Sequence, residues 1–131
     1  MKREIVNPWT WQDSRGFVQA NVLTGVERLV ICAGQTSVDA DGNALHAGDM
    51  RGQVAQTLDN LETVLGESGA SLADVVRVTY YVTDLEAFAG ARDVLRERLQ
   101  AASCRPAATL LVISGLALPE LMIEIEATAA L

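Results

Sequence analysis

Few side chains in this 131-residue chain are of a type and spacing that could do chemistry. There is one histidine, His46, in a turn-rich stretch, so paired-imidazole acid–base work and a histidine zinc site are ruled out. The two cysteines, Cys32 and Cys104, lie far apart and match no metal-ligand spacing. Each reads as a small buried hydrophobe. Glu124 is more suggestive. It alternates with Ile123 and Ile125, so it stands on the opposite strand face from them, with Met122 and Glu126. A carboxylate so placed either faces water on an ordinary strand surface or lines a site, where it can orient a water or carry its proton. Arg92 falls four residues after Phe88 and three before Leu95, at the edge of a helical apolar stripe. Such an arginine lays its stem over apolar surface and sends its head to water, unless a ligand needs the charge.

The elements that must position these residues are legible from periodicity. Residues 17–23 read as a short strand. The run Arg28-Leu29-Val30-Ile31-Cys32-Ala33, ending at Gly34, suits a strand buried on both faces. Asp39-Ala40-Asp41-Gly42-Asn43 is a turn cluster. Asp49 is positioned to cap a helix reaching about Glu67, with Val54, Leu58, Leu61, Val64 and Leu65 along one face. Ser71 to Asp74 resembles one capped turn, and Val75 to Val82 is dense in β-branched and aromatic residues, as a central strand is. A second helix is expected from Leu85 to Leu99, burying Phe88, Ala91, Leu95 and Leu99. Residues 106–114 and 121–129 close the chain as strands. The order β-β-β-α-β-α-β-β puts the helices on one face of a sheet, an α+β two-layer sandwich in a single domain spanning residues 1–131.

Composition narrows the function classes. Half of the residues are apolar and the mean hydropathy is +0.20, rich for a small domain and suggestive of a subunit interface. The net charge is −7, and the arginines are scattered along the sequence with no basic run or stripe to follow a phosphate backbone. No nucleic-acid partner is expected. No apolar run approaches the ~18 residues of a membrane span, and no secretory h-region follows the charged first residues. The expectation is a cytoplasmic protein without membrane association.

Several blocks, taken together, resemble the RidA family, also called YjgF or L-PSP. They are Phe17-Val18-Gln19-Ala20, Cys32-Ala33-Gly34-Gln35, and Gln56-Thr57-Leu58-Asp59-Asn60-Leu61. The internal stretch from Gly69 to Thr79 continues into Tyr81-Val82-Thr83-Asp84. The ending runs from Arg105 through Gly115 to Ala127. The resemblance implies a chorismate-mutase-like fold and a homotrimer with a barrel-like core and clefts between subunits. It also implies hydrolysis of reactive enamines and imines to a keto acid and ammonia, with no cofactor and no metal. An iminium carbon is already electrophilic, so such a site need only position water, hold a proton acceptor and anchor the substrate carboxylate.

Carried over residue by residue, the resemblance makes Glu124 the catalytic carboxylate and places Gly34 and Gln35 against the ligand. Four further family positions have lost a polar group. Phe17 replaces a tyrosine, Ala33 a serine, Ala108 the carboxylate-binding arginine and Leu110 a cysteine. A fifth, Arg92, replaces an asparagine and adds a charge that could supply what Ala108 lacks from another wall of the cleft. Arg105 precedes Pro106 and is expected on a different part of the surface. The loss at Ala108 argues against ordinary 2-aminoacrylate deamination. It leaves open hydrolysis of a non-standard imine, ligand binding without turnover, and, last, a ribonuclease activity for which no histidine pair exists.

Overall fold

The structure is a computed structural model describing all residues from Met1 to Leu131. Its strands are β1 (Lys2–Val6), β2 (Ala20–Thr24), β3 (Leu29–Ile31), β4 (Gln35–Thr36), β5 (Val75–Val82), β6 (Ala107–Val112) and β7 (Ile123–Ala130). Its helices are α1 (Met50–Glu67), α2 (Leu85–Ala89) and α3 (Arg92–Ala101). The main sheet runs β3-β7-β5-β6, with β4 also pairing β7. β5 and β6 are parallel, as a strand–helix–strand crossover requires, and the other pairs are antiparallel. β1 and β2 form a separate antiparallel hairpin.

The core lies between this sheet and the helices. Val78, Tyr80 and Val82 of β5 and Ile123, Ile125 and Ala127 of β7 point to one face, where they cluster with Val54, Leu58, Leu61 and Leu65 of α1 and Leu95 and Leu99 of α3. This is the α+β layering expected. α1 begins where the sequence places it: Asp49 accepts from the Gly52 N–H at 3.0 Å, satisfying one of the orphan amides of the first turn. In the Ser71–Asp74 turn the Asp74 carboxylate accepts from the Ser71 N–H at 2.8 Å and from its hydroxyl at 3.0 Å.

Three expectations need correction. The helix over residues 85–99 is two helices, broken at Gly90 and Ala91. The apolar stripe runs unbroken through the gap, with Phe88, Ala91, Leu95 and Leu99 all buried, so periodicity alone could not reveal the break. The run at residues 28–33 is not buried on both faces. β3 is an edge strand, and Leu29 and Ile31 are 56% and 79% exposed because no layer covers the outer sheet face within one subunit. The short strand at residues 17–23 starts later, at Ala20; Phe17 and Val18 instead lie beside β6, with a Val18–Ala107 bridge and the Val18 N–H donating to Pro106 O at 3.0 Å.

Polar side chains of α1 tie down the flanking segments. Gln53, fully buried, donates to His46 O at 3.1 Å and Glu120 O at 2.8 Å and accepts from the Met122 N–H at 2.8 Å. Asn60 donates to Thr36 O at 2.8 Å and Val38 O at 3.0 Å. One helix thereby fixes both β4 and the entry to β7. The hairpin is attached separately. Arg3 donates to Asn21 Oδ1, Val75 O and Arg105 O, and Asn21 donates to Val76 O and Arg105 O.

Candidate functional site

The predicted site residues fall into two groups. Glu124, Gly34 and Gln35 form the first. β4 pairs β7 so that Thr36 lies opposite Glu124 and Gln35 opposite Ile125. Gly34 stands directly against the Glu124 side chain: a β-carbon on residue 34 would come within 2.7 Å of Glu124 Cδ and closer still to Oε1. A side chain at residue 34 would push the flexible glutamate out of this conformation. Ala33 is exposed, and its carbonyl accepts from Gln35 Nε2 at 3.2 Å. Glu124 and Glu126 share the outer face of the sheet, opposite the buried Ile123 and Ile125, as alternation requires. Glu126 accepts from the Tyr81 hydroxyl at 2.8 Å, and that bond raises the Tyr81 pKa. Glu126 is thereby committed to a neighbour, whereas no protein group hydrogen-bonds to the Glu124 carboxylate.

Phe17, Arg92, Ala108 and Leu110 form the second group. All four line one cavity of about 770 Å³ between α3 and the β6 edge of the sheet. Tyr80, Phe88, Leu95 and Leu99 complete its apolar wall, and Trp11, edge-on to Phe17 at 5.8 Å, stands at its rim. The Arg92 guanidinium lies 5.4 Å from the Phe88 ring centroid, within cation–π range, and its Nε is enclosed without a protein acceptor. An enclosed N–H without an acceptor costs about 1–3 kcal/mol. Arg92 therefore shares a cavity with the vacated position 108, on the facing wall, and does not pair with Glu124.

Arg105 also lines this cavity, contrary to expectation. Strand alternation does not govern it, because β6 begins only at Ala107; its backbone is held by Arg3 and Asn21, which donate to its carbonyl. Arg15 and Arg96, which the sequence did not single out, line the cavity too. The spacing of Arg92 and Arg96 at i and i+4 was a readable sign of a shared helix face; Arg15 and Arg105 gave none. Cys104 is buried in the same wall, and desolvation pushes its thiol up to about 12, so it is a packing residue. Cys32 is likewise buried, with its pKa raised by desolvation. His46 is exposed in a left-handed turn conformation at φ 60°.

The two groups do not meet within one subunit. Glu124 belongs to the outer face of the sheet, whereas Ala108 and Leu110 pair in register with Val78 and Tyr80 on the inner side.

The model of the endoribonuclease L-PSP family matches residues 12–131. The chain belongs to this family. Its fold is the YjgF/L-PSP fold: a Rid-family protein of unknown function from Yersinia pestis, YyfB, superposes with a TM-score of 0.87 over 100% of both chains at 36% identity. A RutC family protein of Pyrococcus abyssi is 35% identical over 104 residues, covering 79% of this chain and 80% of its own. A 2-iminobutanoate/2-iminopropanoate deaminase of Dermatophagoides farinae is 29% identical over 99 residues, covering 76% of this chain and 75% of its own. Some relatives within the YjgF/L-PSP family are thus imine deaminases. No helix of the chain is long and apolar enough to cross a membrane.

Proposed function

We propose that this YjgF/L-PSP protein is a homotrimeric, cofactor-free hydrolase of a non-standard imine or enamine. The observation that carries the reading is the seat of Glu124: a carboxylate lying against Gly34, in the space a β-carbon there would claim, and hydrogen-bonded to no protein group. In the proposed cleft this face of one subunit meets the Phe17–Arg92–Ala108–Leu110 cavity of the next. The bare outer sheet face and the exposed Leu29 and Ile31 support such an assembly.

Glu124 accepts a proton from water as its oxygen attacks the iminium carbon. The carbon–nitrogen π electrons move to nitrogen, giving a tetrahedral carbinolamine. Glu124 returns that proton to nitrogen and then takes the hydroxyl proton as the carbonyl forms and the carbon–nitrogen bond breaks; a ketone or keto acid leaves with ammonia, which carries the last proton away as ammonium. An enamine enters the same path once its β-carbon has taken a proton from solvent. Ala108 offers no charge to a carboxylate at the usual place, so a small 2-aminoacrylate is poorly anchored and the substrate sits differently. A second reading, ligand binding without turnover, is favoured by Phe17, Ala33 and Leu110, which remove hydroxyl and thiol groups from the family's cleft.

The test generates imines from a panel of amino acids with an amino acid oxidase and traps the surviving imine with semicarbazide. Suppressed trapping by the wild-type protein but not by Glu124→Gln establishes the hydrolase. No suppression for any side chain leaves the binding reading in its place.

A further inference from the structure

Of the nine arginines, five are engaged: Arg3, Arg28, Arg51, Arg77 and Arg98 each donate to oxygen atoms of the protein. The other four, Arg15, Arg92, Arg96 and Arg105, donate to none, and all four line the large cavity. They converge from three separate stretches of chain. Asp13 is the sole acidic side chain in the lining. α3 sorts its charges accordingly: Asp93 pairs with Arg51 and Arg98 with Asp59 and Glu62, leaving Arg92 and Arg96 on the cavity side. Two like charges one turn apart weaken the helix that carries them, and the protein as a whole is acidic at −7. A concentration of unneutralised cations around an apolar hollow in an acidic protein is a device for drawing in a small anion, whereas a long polyanion meets net repulsion.

We propose that this cavity binds a small organic dianion, with two acidic groups on an apolar body. Planar guanidinium forks take carboxylate or phosphate two bonds at a time. The enclosed Nε of Arg92 supplies a donor that an entering anion would satisfy. Phe17, Tyr80, Phe88 and Leu110 take the body. The inference rests on the proposed function only in naming this ligand the substrate, which would then be an imino acid bearing a second anionic group.

The probes are 4-carboxyphenylacetate, phenyl phosphate, phenylacetate and inorganic phosphate, titrated into the full chain by calorimetry and by fluorescence of Trp11 at the rim. The expected result is at least tenfold tighter binding of one aromatic dianion than of phenylacetate at low salt, with affinity falling as salt rises. Preference between the first two probes tells carboxylate from phosphate. Arg92→Gln and Arg105→Gln should each weaken the dianion about tenfold or more, with Arg92→Lys recovering part of the loss. Arg28→Gln, whose guanidinium is occupied by Gly69 O, should change nothing. Thermal melts check that each variant is folded. Equal affinity for phenylacetate and the dianions, indifference to both glutamine variants, or no binding of any probe at millimolar concentration would overturn the proposal. Dianion binding without imine hydrolysis upholds the cavity and sinks the hydrolase.

Discussion

Glu124 owes its position to an absent side chain. Substituting Gly34 with alanine introduces a β-carbon that overlaps the carboxylate, and the flexible glutamate must swing aside. Gly34→Ala should therefore behave like Glu124→Gln in the imine-trapping assay, each losing on the order of a hundredfold in rate, the usual scale of a positioned proton acceptor. Its melting temperature should stay near wild type, since Gly34 is exposed. Cys104 gives a prediction of a different kind. Its thiol is held neutral up to about 12 by burial, so the unfolded chain ionises first as pH rises above the ordinary thiol value of 9.0. The folded state then binds more protons than the unfolded state, and stability falls across pH 9 to 12. Denaturant midpoints measured through that window should decline, and the decline should flatten in Cys104→Ala. At pH 8 a disulfide-exchange reagent should leave both thiols of the native protein untouched and titrate both in urea. The sequence already showed Glu124 on the face away from Ile123 and Ile125. It could not show Gly34 against it, because that contact needs β4 in register with β7.

At the level of elements, α1 is the organiser. Most of its apolar stripe was legible, since one helix against one sheet face imposes the simple 3.6-residue repeat on Val54, Leu58, Leu61 and Leu65; Val64 is only partly buried, and Met50 joins the core from the first turn. Its polar work was not legible. Gln53 is fully buried among that stripe and serves as a three-way clamp on His46 O, Glu120 O and the Met122 N–H. Gln53→Ala strands these groups and should cost about 3 kcal/mol in urea unfolding, at the upper end for loss of a buried polar partner. It should also loosen the entry to β7 and lower any activity that depends on Glu124. The break between α2 and α3 escaped sequence reading for the opposite reason: a continuous stripe hides a discontinuous backbone. The gathering of arginines escaped too, because residues 15, 92, 96 and 105 become neighbours only when the segment before β2, α3 and the approach to β6 are assembled.

For the molecule as a whole, the asymmetry of the sheet matters most. One face is packed by α1 and α3; the other carries Ile31, Tyr81, Glu124, Glu126 and Leu111 with nothing over it. High apolar content pointed to an interface before any strand was assigned, and Leu29, Ile31 and Leu111 put part of that surplus on the uncovered face. Ile31→Glu places a charge on the most exposed of these apolar residues. If the face is a subunit interface, light scattering on a sizing column should find a trimer for the wild type and smaller species for the variant. A wild-type monomer would sink the assembly and, with it, the joining of the two residue groups into one cleft. The notch that Gly34 makes for Glu124 also binds the history of two positions together. A descendant that acquires any larger residue at 34 must seat its carboxylate elsewhere or do without it, so drift at one position should be answered by drift at the other.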